Sequence, residues 1–453
     1  MTGTGANGPN GGANGNGNGT ASPTIHPSII LHPNDLASVP SLIKEILSKG
    51  SLLSSSPYND HEYETARLSL VQAAHRLVIS LEKPRETMIR QTWANTAGFS
   101  VLTIGIEAGI WASLASSSSP QTVSQIHTRL PSHAANFHKG YLSRILKHAA
   151  AMGYITETGP DTYLASNFIK SLTIPIMGSG YSVFSGPGRT GGARLPMLAL
   201  PAWLQENGYE KEPEGPMGPF QHAHDTKLNM FEWFHANPPA GEWFNLHMGG
   251  YAFGRPNWFD DEIYPVRERL IDGFKDREGE ALLVDIGGGL GHDIEAFASR
   301  FPDAKGRLVL QDLEHVIEQG LQTKVEGSRV ERTVYDFHTE QPVKGARAYY
   351  MHSILHDWSD DICVKIIANI KEAMKPGYSR LLIDEGVIPD TGASWEATGL
   401  DMILSGLLSS RERTRAEWTR LLEEKAGLKI NKIYHYLGDA SRGTTSLIEC
   451  ELV

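Results

Sequence analysis

Cysteine is nearly missing: Cys363 and Cys450 are the only two in 453 residues. Neither a disulfide framework nor a cysteine-built zinc site can be made from them. Positive charge is also short, with 41 Lys and Arg against 52 Asp and Glu and a formal net charge of -11. That balance argues against a broad electrostatic footprint on nucleic acid or on an anionic membrane, so neither is an expected partner. No stretch has the roughly 20 predominantly apolar positions that a spanning helix needs. The nearest, Ala97 to Ala115, contains Glu107 and many small or polar residues, and it reads as a buried helix. Met1 to Gly12 have neither a basic start nor an apolar core, so no secretory signal is visible and a cytoplasmic location is expected.

At about 150 residues per domain, the length gives two or three folding units. Residues 1–22 open the chain with a tract rich in Gly and Asn that is expected to be disordered, because it buries too little apolar surface to offset the entropy of ordering. Residues 23–190 read as mainly helical. Within them, helix Val123 to Leu130, a break at Pro131, helix Tyr141 to Met152 and a hairpin around Gly159-Pro160-Asp161 form a winged-helix order. Its candidate recognition helix offers only Lys139, Arg144 and Lys147 as fixed positive charges, which favours a structural or dimerising role over DNA binding. Residues 191–453 form the second unit. They begin with an aromatic-rich segment from Phe231 to Phe259 whose rings wall a pocket for a flat ligand or fill ordinary core.

After Glu280, short β-rich runs alternate with helical stretches: Leu282 to Ile286, Ile294 to Arg300, Arg307 to Gln311, Val316 to Gln322, Ala346 to Met351, Ile362 to Met374 and Ser379 to Asp384. The fold class is therefore α/β around a mostly parallel sheet, which binds ligands at the carboxyl ends of its strands. The first strand runs into Asp285-Ile286-Gly287-Gly288-Gly289-Leu290-Gly291. The dinucleotide pattern needs a glycine where His292 stands, and the phosphate-loop ending is absent. Asp285 at the strand end suits a cationic amino group and would repel a pyrophosphate. Asp312 ends the next strand a little over 20 residues beyond the glycines, where a carboxylate takes the hydroxyls of a ribose.

The densest constellation is His352-Ser353-Ile354-Leu355-His356-Asp357-Trp358-Ser359-Asp360, after another predicted strand. A neutral histidine with pKa about 6.5 is the side chain best matched to deprotonating a phenol of pKa about 10 near neutrality. With Val284 to Gly291, Asp312, Asp336-Phe337 and Leu382 to Pro389, the string resembles the S-adenosylmethionine-dependent O-methyltransferases of plant and fungal phenolic metabolism, the caffeate, flavonoid and sterigmatocystin class. The similarity spans roughly residues 85–450.

The resemblance implies a Rossmann-like methyltransferase domain preceded by a mainly helical winged-helix dimerisation domain, with S-adenosyl-L-methionine as cofactor. It implies that Asp285, Gly287, Gly288 and Gly289 line the methionine end of that cofactor. Asp312 would hold the ribose, and Asp336 with Phe337 the adenine. His356 would be the general base, with Glu385 and Glu412 as the acids that orient its imidazole. Phe244, Met248 and Asp357 would contact an aromatic acceptor, and no metal is implied. One departure stands out: four residues before the base the family usually carries Lys or Arg, and this chain has His352. A methyltransferase-fold dehydratase or pericyclase is the rival reading, and a winged-helix regulator of DNA the third. The expected assembly is a homodimer through Pro84 to Lys170, because Ala97 to Ala115 is too apolar to be left in water.

Overall fold

The computed structural model describes residues 25–53, 61–188, 190–275, 279–322, 326–436 and 445–453. The expected disordered tail, residues 1–22, lies outside them. Helices Val39–Leu53 and His61–Leu81 pack on each other and lead into a helical region. The apolar stretch Ala97 to Ala115 is two helices, not one: Thr96–Glu107 and Ile110–Ala115, parted where Gly109 takes a φ of 69°. Its apolar side chains are largely covered within the chain itself. Val101, Leu102, Ile110, Trp111 and Leu114 share a core with Leu142, Ile145, Leu146 and Tyr163, and the Trp111 indole donates to the Leu102 carbonyl at 2.9 Å. The premise that this stretch needs a partner to hide it is therefore corrected, because the helix and hairpin that follow supply the cover.

Strand β1 (Gln121–Thr122) precedes helix Val123–Thr128, which Thr122 caps in a reciprocal box with Gln125. Helix Lys139–Ala151 then leads to the hairpin β2 (Ile155–Gly159) and β3 (Thr162–Ala165), which closes a small antiparallel sheet of order β1-β3-β2. On the helix, Lys147 pairs with Asp161 at 3.2 Å, and the Arg144 guanidinium lies 5.3 Å above the Tyr141 ring.

The main sheet is built from β4 (Ala281–Ile286), β5 (Arg307–Asp312), β6 (Val330–Val334), β7 (Ala348–His352) and β8 (Arg380–Glu385). After the short ribbon of β9 (Val387–Ile388) and β10 (Arg413–Thr414) come β11 (Leu428–His435) and β12 (Ser446–Leu452). The order is β11-β12-β8-β7-β4-β5-β6; β4 to β8 run parallel, and the final hairpin pairs antiparallel. Every residue of β4 is buried, as expected of a strand covered on both faces by helices. Periodicity missed β6 and β11, whose exposed faces carry Glu331, Lys429 and Lys432 among their apolar residues, and β12, a mostly buried strand interrupted by Glu449. Among the described residues no helix is long and apolar enough to cross a membrane.

The aromatic segment divides. Trp233, Phe234, Phe231 and Phe244 pack together beside helix Trp395–Leu408, whereas Trp258 and Phe259 stack behind the sheet with Phe297 and Tyr350. Some rings are thus core and others neighbour the site.

Candidate active site

The carboxyl ends of β4, β5, β7 and β8 meet at the point where strand order reverses about β4, the usual crevice of such sheets. The turn after β4 is a run of left-handed residues: Gly287, Gly289 and Gly291 have φ of 68°, 58° and 91°. Gly288 is constrained by space, since a Cβ there would sit 2.5 Å from Asp285 Cγ and from Leu310 Cδ1. Asp312 ties the turn to β5, accepting from the Gly289 N–H at 2.8 Å and the Leu313 N–H at 2.7 Å. Burial raises its pKa against those two donors.

Asp285 is 1 % exposed, and neither of its carboxylate oxygens has a hydrogen-bond partner among the described residues. Burial, and then Asp293, push its pKa well up. An orphaned buried carboxylate is costly, and a cationic amino group is the ligand that would satisfy it. Phe337 is half-buried and edge-on to Trp358, and it reaches the glycine turn: a Cβ on Gly287 would lie 3.8 Å from its ring. Asp336 is exposed beside it, with Oδ1 taken by the His338 N–H at 2.9 Å.

His352 ends β7. Its Nδ1 lies 2.7 Å from Asp293 Oδ2, on the first turn of helix His292–Arg300. Burial alone would lower this imidazole, but Asp384 and Asp293 outweigh it and hold the pKa up at about 9. The departure from Lys or Arg therefore keeps a cation at this position. The Tyr350 hydroxyl lies 2.8 Å from both Asp293 Oδ2 and Asp384 Oδ2. One proton cannot serve both carboxylates; burial raises Asp384, which also receives the Tyr436 hydroxyl.

His356 sits in the short turn Leu355–Asp357 and is 7 % exposed. Glu385, at the end of β8, grips that turn: its Oε1 accepts the backbone N–H groups of Ile354 at 2.9 Å, Leu355 at 2.7 Å and His356 at 3.4 Å. Its Oε2 lies 3.3 Å from His356 Nδ1 without completing a hydrogen bond. Glu412 takes Nδ1 itself, at 2.7 Å, and its own N–H is fixed by Asp401 at 2.9 Å. The two glutamates, interchangeable from sequence, thus divide the work: one holds the backbone, the other the ring. On the opposite edge Asp357 Oδ1 lies 3.4 Å from Nε2. Burial would lower His356, yet Glu385, Asp357 and Glu412 together hold it up at about 10. Burial likewise lifts Asp357, to about 7, against the pull of His356.

The matched family model, an O-methyltransferase domain, covers residues 261–429. The O-methyltransferase mpaG of Penicillium brevicompactum is 34% identical over 425 residues, 92% of this chain and 99% of that protein. This chain belongs to the O-methyltransferase family. The solved structure described as a pericyclic reaction enzyme superimposes with a TM-score of 0.79 at 28% identity, covering 91% of this chain and 100% of that one. OxaC in complex with SAH and oxaline gives 0.74 at 26%, covering 92% and 99%. The protein is an enzyme that uses S-adenosylmethionine.

In this O-methyltransferase the expected site residues fall into two adjoining groups. Asp285, the glycines, Asp312, Asp336, Phe337 and His352 surround the end of β4, and His356, Asp357, Glu385 and Glu412 meet beside β8. Phe244 lies half-buried against Phe231 and Phe234, and Met248 is 40 % exposed on the same helix, Ala240–Ala252. Sequence reasoning missed several neighbours. Arg255 lays its guanidinium 4.0 Å over the ring of Tyr251, one of the aromatic residues singled out from sequence and one turn beyond Met248, and is anchored to Glu396 at 2.6 Å. Ser410 donates its hydroxyl to the His356 carbonyl, joining the Glu412 loop to the His356 turn. Asp293, Tyr350 and Asp384 complete the setting of His352. Only Asp384 gave a signal, as a carboxylate closing an otherwise apolar strand.

Proposed function

We propose that the enzyme moves the methyl of S-adenosylmethionine to a hydroxyl of a phenolic or polyketide-derived aromatic metabolite, with His356 as general base. The observation that carries this reading is the 2.7 Å contact of Nδ1 with Glu412, which fixes one ring nitrogen and leaves Nε2 to take a proton. The bound cofactor supplies an electrophilic methyl group on a cationic sulfur. The chain supplies the rest: Asp285 binds the amino group, His352 the carboxylate, Asp312 the ribose, and Asp336 with Phe337 the adenine, over Gly287 to Gly289. Phe244, Met248 and Asp357 place the acceptor, and in-line placement in a dry pocket is the main catalytic need. Incubation with S-adenosylmethionine and a panel of phenols, followed by mass spectrometry, is expected to give products heavier by one methyl group. Cofactor binding with acceptor loss of water or rearrangement, and no methylated product on any acceptor, would favour the dehydratase or pericyclase reading that the likeness to a pericyclic enzyme motivates.

His356 Nδ1 and an oxygen from each of Glu385 and Glu412 lie within 4.8 Å of one another, a spacing a divalent ion could bridge. Methyl transfer from a sulfonium needs no Lewis acid, and EDTA treatment is expected to leave the rate unchanged; loss restored by a divalent ion would assign these residues to a metal.

The N-terminal region, residues 23–190, is read as a winged-helix-like dimerisation domain and residues 191–453 as the catalytic domain. The order of helices and hairpin supports the first. The pairing surface is argued from Met88, Trp93, Tyr141 and Phe168, which are 53, 68, 46 and 38 % exposed within Pro84 to Lys170. Light scattering is expected to report a dimer at micromolar concentration, unchanged when residues 1–22 are deleted. A monomer would count against the interface, and loss of the dimer on deletion would place it in the tail. The DNA-binding reading is disfavoured by the engagement of Lys147 and Arg144 with Asp161 and Tyr141.

A further inference from the structure

His356 is packed among three carboxyl groups: the buried Glu412 and Glu385 at 2.7 and 3.3 Å from Nδ1, and the half-buried Asp357 at 3.4 Å from Nε2. The nearest fixed cation, Arg413, spends its guanidinium on the Leu355 and Trp358 carbonyls and on Asp360. Among the other groups facing the cluster, His352 lies within electrostatic reach of Glu385 but is paired with Asp293, Asp401 holds the Glu412 N–H, and the half-buried phenol of Tyr251 faces Glu412. Such surroundings favour a positive charge on the ring, and a ring already protonated at Nε2 cannot take a proton from an acceptor.

We propose that entry of the positively charged methyl donor expels a proton from the His356–Asp357 edge of this cluster, so that donor binding itself converts the site to its proton-accepting form. The inference rests on the reading of His356 as the base. An in-line acceptor oxygen must lie within about 3.5 Å of the methyl carbon and about 3.2 Å of Nε2, which puts the sulfonium within about 8 Å of the ring. At that range, with an effective dielectric of about 20, a unit positive charge weakens proton binding roughly thirtyfold. The lower step is the one that responds: with Asp357 held near 7 and His356 near 10, a roughly thirtyfold weakening empties the Asp357 end at pH 7 and leaves one proton shared along the Nε2–Asp357 edge. In the reaction the S–CH₃ bond breaks, the O–CH₃ bond forms, the sulfur becomes a neutral thioether and the acceptor proton refills the place vacated on the Nε2–Asp357 edge. One positive charge thus faces the carboxylates before and after transfer, and the demethylated product has no charge on sulfur with which to expel the proton.

The test is calorimetry at pH 7 in phosphate and in Tris, whose different ionisation enthalpies report the protons exchanged on binding. S-adenosylmethionine is expected to release about half a proton more than its demethylated product does. Sinefungin, which carries an amine in place of the S-methyl group, should release a similar amount, and S-adenosylhomocysteine, which has the amino group that meets Asp285 but no charge on sulfur, about half a proton less. The double variant His356→Gln/Asp357→Asn should lose this difference while keeping its affinity for S-adenosylhomocysteine. Equal proton counts for the three ligands in the wild-type protein, or a difference between them that persists in a double variant with intact S-adenosylhomocysteine affinity, would overturn the proposal. Charge-dependent release without methylation of any acceptor would instead overturn the proposed function and leave the electrostatic coupling standing; methylation without release would do the reverse.

Discussion

Replacing His356 with alanine is expected to abolish methyl transfer while leaving affinity for S-adenosylhomocysteine nearly unchanged. The imidazole acts on the acceptor hydroxyl and not on the sulfur, and loss of a general base typically costs 10²- to 10⁴-fold in rate. The larger figure is expected here, because a phenol of pKa about 10 is almost wholly protonated at neutral pH. The replacement also leaves Glu412 and Glu385 buried without the ring that they face, so His356→Gln is the companion variant that retains a polar partner. A thermal melt separates lost chemistry from lost fold. Near-normal turnover at pH 7 in a folded variant would remove His356 from the mechanism.

The Asp312→Ala variant should show the opposite pattern, with weakened cofactor binding in calorimetry as its primary defect. A charged acceptor contributes about 1.5–3 kcal/mol per hydrogen bond, so losing two hydroxyl contacts should weaken affinity by roughly 10²-fold or more. The structure adds a second cause, since Asp312 also receives the Gly289 and Leu313 N–H groups and so holds the glycine turn against β5. Asp312→Asn retains an acceptor for those donors and should lose less. Unchanged affinity in the alanine variant would place the ribose elsewhere.

Much of the catalytic half was legible because its signals are local. An apolar strand running into glycines, a carboxylate at the next strand end and a His-Asp-Trp string after a third each occupy a few adjacent residues, and the parallel strands β4, β5, β7 and β8 carry continuous apolar runs. Strands β6 and β11 were hidden because partly exposed strands mix charge with apolar residues, and β12 because Glu449, buried against Arg269 and Arg380, interrupts its apolar run. The apolar stretch from Ala97 to Ala115 misled for a related reason: composition reports that it must be covered, and only packing reports that Leu142, Leu146 and Tyr163 of the same chain do so.

By itself the sequence determined the α/β class, the strand ends at which a ligand binds, the family resemblance and the identities of the residues that gather there. Backbone periodicity and short-range steric rules suffice for these, since glycine alone adopts the turn freely and a carboxylate at a strand end has few other uses. The tertiary structure decided how those residues divide their roles. Glu385 and Glu412 lie 27 residues apart, and nothing local states that one grips the backbone of the His356 turn while the other binds its ring. Nor could composition foresee that Asp293 and Asp384 keep His352 cationic, or that three carboxyl groups crowd a single imidazole. Those properties depend on distance and burial, because charges interact strongly only within a few ångströms and away from water, and the fold alone sets both.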